Sequence, residues 1–157
     1  MRALAAALVI ALLGAAPPSM QIGGWDLRTE DVVTNIQTGS FTLPNHVNLI
    51  RADGSTIDAD RATGNFKQRS IDLSGHVVMH DNSGAMGAQI GVAAKSKRAE
   101  PATITSDTMH IDETQRLYVA TGSVKYVQGT STMNADRVEV DNGRHKVHLS
   151  GHVRVAQ

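Results

Sequence analysis

Residues 57–79 contain Ile57-Asp58-Ala59-Asp60-Arg61-Ala62 and, after a short break, Ile71-Asp72-Leu73-Ser74-Gly75-His76-Val77-Val78-Met79. In the second stretch Ile71, Leu73, Val77 and Met79 fall on alternate residues, with Asp72, Ser74 and His76 between them. A period of two describes a half-buried β-strand. Asp60 stands fifteen positions before Gly75 and seventeen before Val77, and this spacing recurs along the chain. It appears as Glu30 with Asn45 and Val47, Asp107 with Gly122 and Val124, and Asp136 with Gly151 and Val153. Four copies of one strand-turn-strand unit therefore make up the chain beyond about residue 20.

The surrounding pattern repeats as well. Three residues before each acid stands Leu27, Ile57, Ile104 or Met133, and two after it Val32, Ala62, Met109 or Val138; Ile111 and Val140 continue this row. The strand counterparts of Ile71 to Met79 are Phe41, Leu43, Val47 and Leu49, then Tyr118, Ala120, Val124 and Tyr126, then Val147, Leu149, Val153 and Val155. The second half of every unit keeps its phase. The first half slips by one at the acid, since Met133 and Ala135 are odd and Val138 and Val140 even, which predicts a bulge or corner there. Turn residues separate the halves at Gln37-Thr38-Gly39, Asn65 to Arg69, Glu113 to Gln115 and Asn142 to Arg144.

Eight such strands without a helical period predict an all-β fold: an open antiparallel sandwich, a jelly roll or a stacked-turn solenoid. The acids lie 30, 47 and 29 positions apart, so the middle gap carries an insertion at about 84–101, rich in Gly and Ala, expected to be a mobile loop or irregular strand. Met1-Arg2, the apolar run from Ala3 to Ala16 and Pro17-Pro18-Ser19 have the pattern of an export signal. The run is shorter than the roughly 20 residues that cross a hydrocarbon core. Residues 1–19 thus read as a signal peptide, with an uncleaved anchor as the alternative, and 22–157 as one domain outside the cytoplasm.

Composition narrows the function. Lys plus Arg and Asp plus Glu are 15 each and aromatic residues 3%, so neither a basic field nor stacking platforms for nucleic acid exist. The absence of cysteine removes disulfides, thiolate metal sites and a cysteine nucleophile. No Gly-x-Ser-x-Gly elbow or His-Glu-x-x-His is present, and the glycines of 84–91 fit no phosphate-loop spacing. His46, His76 and His152 share one unit position, but their phase sets them opposite the apolar residues, facing solvent, so no metal is expected. The four acids follow the repeat, which fits a role at the corner, satisfying backbone N–H groups, better than catalysis. No catalytic residue and no cofactor are assigned. What remains is the aliphatic face, which closes as a core or stays open as a groove for acyl chains; periodicity leaves both possible. An open stack of units also leaves unpaired strand edges at its two ends, where another chain can join. The last copy, running through Val153-Arg154-Val155 to Gln157, carries no charged cap.

Thr132-Met133-Asn134-Ala135-Asp136-Arg137-Val138-Glu139-Val140-Asp141 with Val147-His148-Leu149-Ser150-Gly151-His152-Val153-Arg154-Val155 resembles the repeat of the OstA-like lipopolysaccharide-transport proteins, as does the copy at 57–77. That family includes LptA, LptC and the N-terminal domain of LptD, and the resemblance covers roughly residues 25 to 155. It implies a periplasmic β-jelly roll, tethered to the inner membrane if residues 1–19 stay uncleaved, whose groove carries lipid A acyl chains of lipopolysaccharide in a bridge from inner to outer membrane. Carried over by position, the groove lining is the set Leu27, Val32, Phe41, Leu43, Val47, Ile57, Ala62, Ile71, Leu73, Val77, Met79, Ile104, Met109, Ile111, Tyr118, Val124, Tyr126, Met133, Val138, Val140, Val147, Leu149 and Val153. The implied partners are lipopolysaccharide and other OstA-like components joined through the edge strands, or further copies of this chain end to end. The alternative reading is a lipid-free structural or adhesive exported repeat protein.

Overall fold

The computed structural model describes residues 20–82, 100–144 and 146–156; residues 1–19, read above as an export signal, and nearly all of the insertion at 84–101 lie outside the described residues. The described regular elements are all strands: β1 (Met20–Ile22), β2 (Trp25–Thr29), β3 (Val33–Asn35), β4 (Ser40–Leu43), β5 (Val47–Arg51), β6 (Thr56–Ala59), β7 (Arg61–Asn65), β8 (Ser70–Asp81), β9 (Ala102–Asp112), β10 (Leu117–Gln128), β11 (Ser131–Asp141), β12 (Lys146–Ser150) and β13 (Arg154–Ala156). Eight strands were expected. Four of those eight are broken near their middle, and β1 adds an N-terminal hairpin with β2 across Gly23-Gly24, which gives thirteen.

Every pairing is antiparallel, and all strands belong to one sheet. Each unit crosses a corner at its acid. Residues before the acid pair in one layer, in the order β1-β2-β5-β6-β8-β9-β10-β11-β13, and residues after it in a second layer, in the order β3-β4-β7-β8-β9-β10-β11-β12. The long strands β8 to β11 run through both layers, so the sheet folds over on itself as a jelly roll.

The corner explains the phase slip. From Asp58 to Arg61 the first strand advances three residues while its partner advances four, from Ser74 to Val78. The extra residue is a bulge at Gly75-His76, where both φ angles are positive, +79° and +45°. Gly122-Ser123 (+83°, +46°) and Gly151-His152 (+70°, +43°) repeat it. One strand changes parity and the other does not, so both apolar sets stay on the inner face. The acid spacing follows from contact: a Cβ added at Gly75, Gly122 or Gly151 would fall onto the carboxylate of Asp60, Asp107 or Asp136. The acid's backbone N–H bonds the glycine carbonyl in two copies, Asp60 to Gly75 at 3.0 Å and Asp136 to Gly151 at 2.9 Å.

Instead of capping backbone N–H groups, the carboxylates of Asp60 and Asp136 hold the Nδ1 of His76 and His152, each at 2.8 Å. Both rings face solvent, as their phase requires. The first unit departs from this: Asn45 replaces the glycine and reaches Asp31 at 2.7 Å.

Inside lies one apolar cluster drawn from both layers, from Ile22 and Trp25 to Val138 and Val140. The turns repeat too. Asn35, Asn65, Asp112 and Asp141, each five residues after its acid, accept backbone N–H bonds at 2.8–3.1 Å from residues two or three further on.

Two outcomes follow. Gly122→Ala meets both a left-handed backbone and the Asp107 carboxylate and is expected to cost about 2 kcal/mol or more in urea unfolding, with part recovered in Gly122→Ala/Asp107→Ala. The hydrogen bond and charge of Asp60 raise the His76 imidazole above its usual value. NMR titration is therefore expected to place His76 above about 6.5, moving back toward it in Asp60→Asn. Because the folded value is the higher one, the pair's contribution to stability is present below that pH and fades as pH rises through the folded value.

Candidate functional site

The space between the layers is where the sequence places its candidate lining. Nineteen of those side chains are buried in the common cluster, among them Leu27, Phe41, Leu73, Val77, Ile104, Val124 and Met133. Val32, Val147 and Leu149 are partly buried against it. Val153 lies outside, 46% exposed, although its counterparts Val47, Val77 and Val124 are at most 1% exposed. The interior is thus packed with side chains through the first three units and the first strand of the fourth, and uncovered in the fourth unit's second half, where Val155 is 57% exposed. At the opposite end Val33 and Ile36 are exposed beside β3.

The lining is neutral where it carries polar atoms. Tyr118 donates its hydroxyl to Glu113 Oε1 at 2.7 Å, and Tyr126 to Gln128 Oε1 at 3.1 Å. Burial pushes both phenols up, Tyr126 to about 12 and Tyr118 further, helped by the Glu113 hydrogen bond. Neither ionises at neutral pH, so at these two positions the interior presents hydroxyls rather than charge.

Away from the corners the free margins of the two layers meet along a seam. Trp25, on the first layer and fully buried, donates Nε1 to Glu113 Oε1 on a turn of the second at 3.0 Å, with the Tyr118 hydroxyl at 3.4 Å. The Arg51 guanidinium lies 4.9 Å from the Trp25 ring centre, a cation–π contact. It also pairs with Asp53 at 2.7 Å and with Asp81 at 3.1 Å. Asp81 and Ser55 are fully buried, and the Ser55 hydroxyl lies 3.3 Å from Asp81. Burial would raise the Asp53 carboxyl, but hydrogen bonds from Arg51 and Ser55 and the guanidinium charge outweigh it and bring it down to about 2. Removing one member of a buried pair costs on the order of 3–5 kcal/mol, which makes this margin the firmly held end of the seam.

The periodic reading missed this cluster. Its trace in the sequence is one repeat position, twenty-one after the acid, which carries Arg51, Asp81 and Gln128 at the outer end of the inward column. Trp25, the one tryptophan, was the other signal. His46, His76 and His152 stay apart on the outside, and no group of three His, Asp or Glu able to hold a metal occurs among the described residues. A shallow hollow of about 470 Å³ lies on the outer face of the second layer, between Arg61, Asp72, Thr108, His110, Thr121 and Arg137.

No curated protein sequence matches the chain. Among solved structures it is similar to LptH of Pseudomonas aeruginosa, described as the LptA homologous periplasmic component of the conserved lipopolysaccharide transport device. The TM-score is 0.66 at 11% sequence identity, over 85% of this chain and 94% of that one, a likeness of fold. The family model of LptC-related lipopolysaccharide-assembly proteins matches residues 28–157, which include all four units. The chain belongs to the LptC-related family of lipopolysaccharide-assembly proteins.

Proposed function

We propose that this protein is a non-catalytic segment of a periplasmic lipopolysaccharide bridge, taking the acyl chains of the glycolipid between its two layers and passing them on. The observation that carries this reading is an apolar interior continuous through four equal units, buried at one end and uncovered at the other, in a chain of a lipopolysaccharide-assembly family. Each methylene moved from water into such an interior gains roughly 0.8 kcal/mol, so a few acyl chains are held without a charged clamp. Where the interior is already packed, the chains must displace packing and part the layers. The half-buried Val147 and Leu149 and the exposed Val153 and Val155 offer the entry that disturbs least.

The same uncovered strip supports an end-to-end partner. Strands β12 and β13 pair only with β11 among the described residues, which leaves their outer N–H and C=O groups for an incoming strand. A further OstA-like unit or a second copy of this chain would extend both layers and cover Val153 and Val155. At residues 1–19 the reading is an export signal, or a tether that holds the domain at the inner membrane.

The test is photo-crosslinking from Leu149 and Leu73 in an extract containing membranes. Labelling of lipopolysaccharide from Leu149, with weaker labelling from Leu73, is expected. Labelling of protein alone from both would favour the lipid-free structural reading. Leu149→Asp, at a position only partly buried, is expected to keep the fold and reduce lipid uptake about tenfold, the cost of setting a charge against apolar chains.

A further inference from the structure

The four hairpin turns of the second layer form a ladder of their own along the seam. The residue nine positions after each of the first three acids ends its turn and passes its carbonyl to the next: Gly39 O accepts from Phe66 N at 2.9 Å, Arg69 O from Glu113 N at 3.1 Å, and Arg116 O from Asn142 N at 3.0 Å. This position is left-handed, with φ +78° at Gly39, +55° at Arg69 and +57° at Arg116. Glycine adopts that conformation without penalty and arginine does not. The first unit uses glycine; the next two keep a large cation where glycine would sit without strain.

The surroundings give these cations a chemistry. Lys67, Arg69, Arg116, Arg144 and Lys146 are the exposed charged residues of these turns, whereas Asp112, Glu113 and Asp141 are half-buried. Two of the acids cap their own turns, and Glu113 is turned toward Trp25 and Tyr118. Neither Arg69 nor Arg116 meets a carboxylate among the described residues. Two strand spacings separate their turns, about 10 Å. Glu113 belongs to the same ladder and bonds Trp25 across the seam, so these cations border the line along which the two layers meet.

We propose that Arg69 and Arg116 bind phosphate groups on the head of the amphiphile whose acyl chains enter between the layers. This rests on the carrier reading above and extends it to the polar end of the ligand. Guanidinium groups suit phosphate because their planar fork donates two parallel hydrogen bonds, and they stay charged at any physiological pH. Acyl chains inside and phosphates on the turn row fix the ligand's orientation, head outward along the seam.

The experiment measures binding of bis-phosphorylated and of fully dephosphorylated lipid A to the purified full-length protein and to Arg69→Gln/Arg116→Gln. Wild type is expected to prefer the phosphorylated form by at least about tenfold, and the double variant to lose that preference while binding the dephosphorylated form unchanged. Equal binding of both forms by wild type would overturn the inference and leave the carrier reading standing; failure to bind either form would remove both. Inorganic phosphate at equal concentration is expected to leave binding unchanged, and displacement by it would reassign the row to free phosphate. Arg69→Gly and Arg116→Gly supply the control for a structural role. Each is expected to raise Tm by relaxing the left-handed backbone while losing phosphate preference. A fall in Tm with the preference intact would mean that the arginines serve the fold.

Discussion

The corner at each acid is the constraint on which the rest of the molecule depends. A carboxylate packed on a glycine leaves no room for a side chain there, and the glycine with its neighbour takes a left-handed path that inserts one residue into one strand only. Three stacked copies of this bulge, at Gly75, Gly122 and Gly151, turn the strands of the sheet together, so that one continuous sheet becomes two facing layers. A flat sheet with these strands would have one apolar face open to water. The fold over the corner buries that face against itself, which is how a chain with few aromatic residues obtains a core.

The consequence for function lies in where that burial is complete. Through three units the inward side chains meet across the layers, and Trp25, Arg51, Asp81 and Glu113, drawn from these three, fasten the seam. In the fourth unit no described strand lies beyond β12 and β13, and the inward positions of its second half stand partly or wholly exposed. The gradient from fastened to uncovered runs along the direction in which units stack. A carrier segment in a chain of like segments needs both ends of that gradient: one that holds its shape alone, and one completed by what it receives.

Much of the fold was legible because repetition displays it: the acid-glycine spacing, the alternation of Ile71, Leu73, Val77 and Met79, and the slip at Asp136 each have one structural cause. Strand β1 was missed because Met20–Ile22 is too short to show a period. The seam was missed for a different reason. Trp25 and Glu113 are 88 residues apart and meet only after the sheet folds over, and no local pattern marks a contact between layers. Whether the apolar face is core or groove was also beyond a pattern reading, since both require the same alternation. Val153 shows the limit: its position in the repeat equals that of Val77, and only the lack of a covering strand makes one exposed and the other buried.

The parting of the layers is the step on which the carrier role turns, and an interlayer distance measures it most directly. Spin labels at Gln115, on an exposed turn of the second layer, and at Thr130, on an exposed turn of the first, span the seam. Pulsed electron-spin distances between them should lengthen when lipid A is bound, because acyl chains add volume between layers that are already packed. An unchanged distance in protein that demonstrably carries the lipid would contradict an interior binding site.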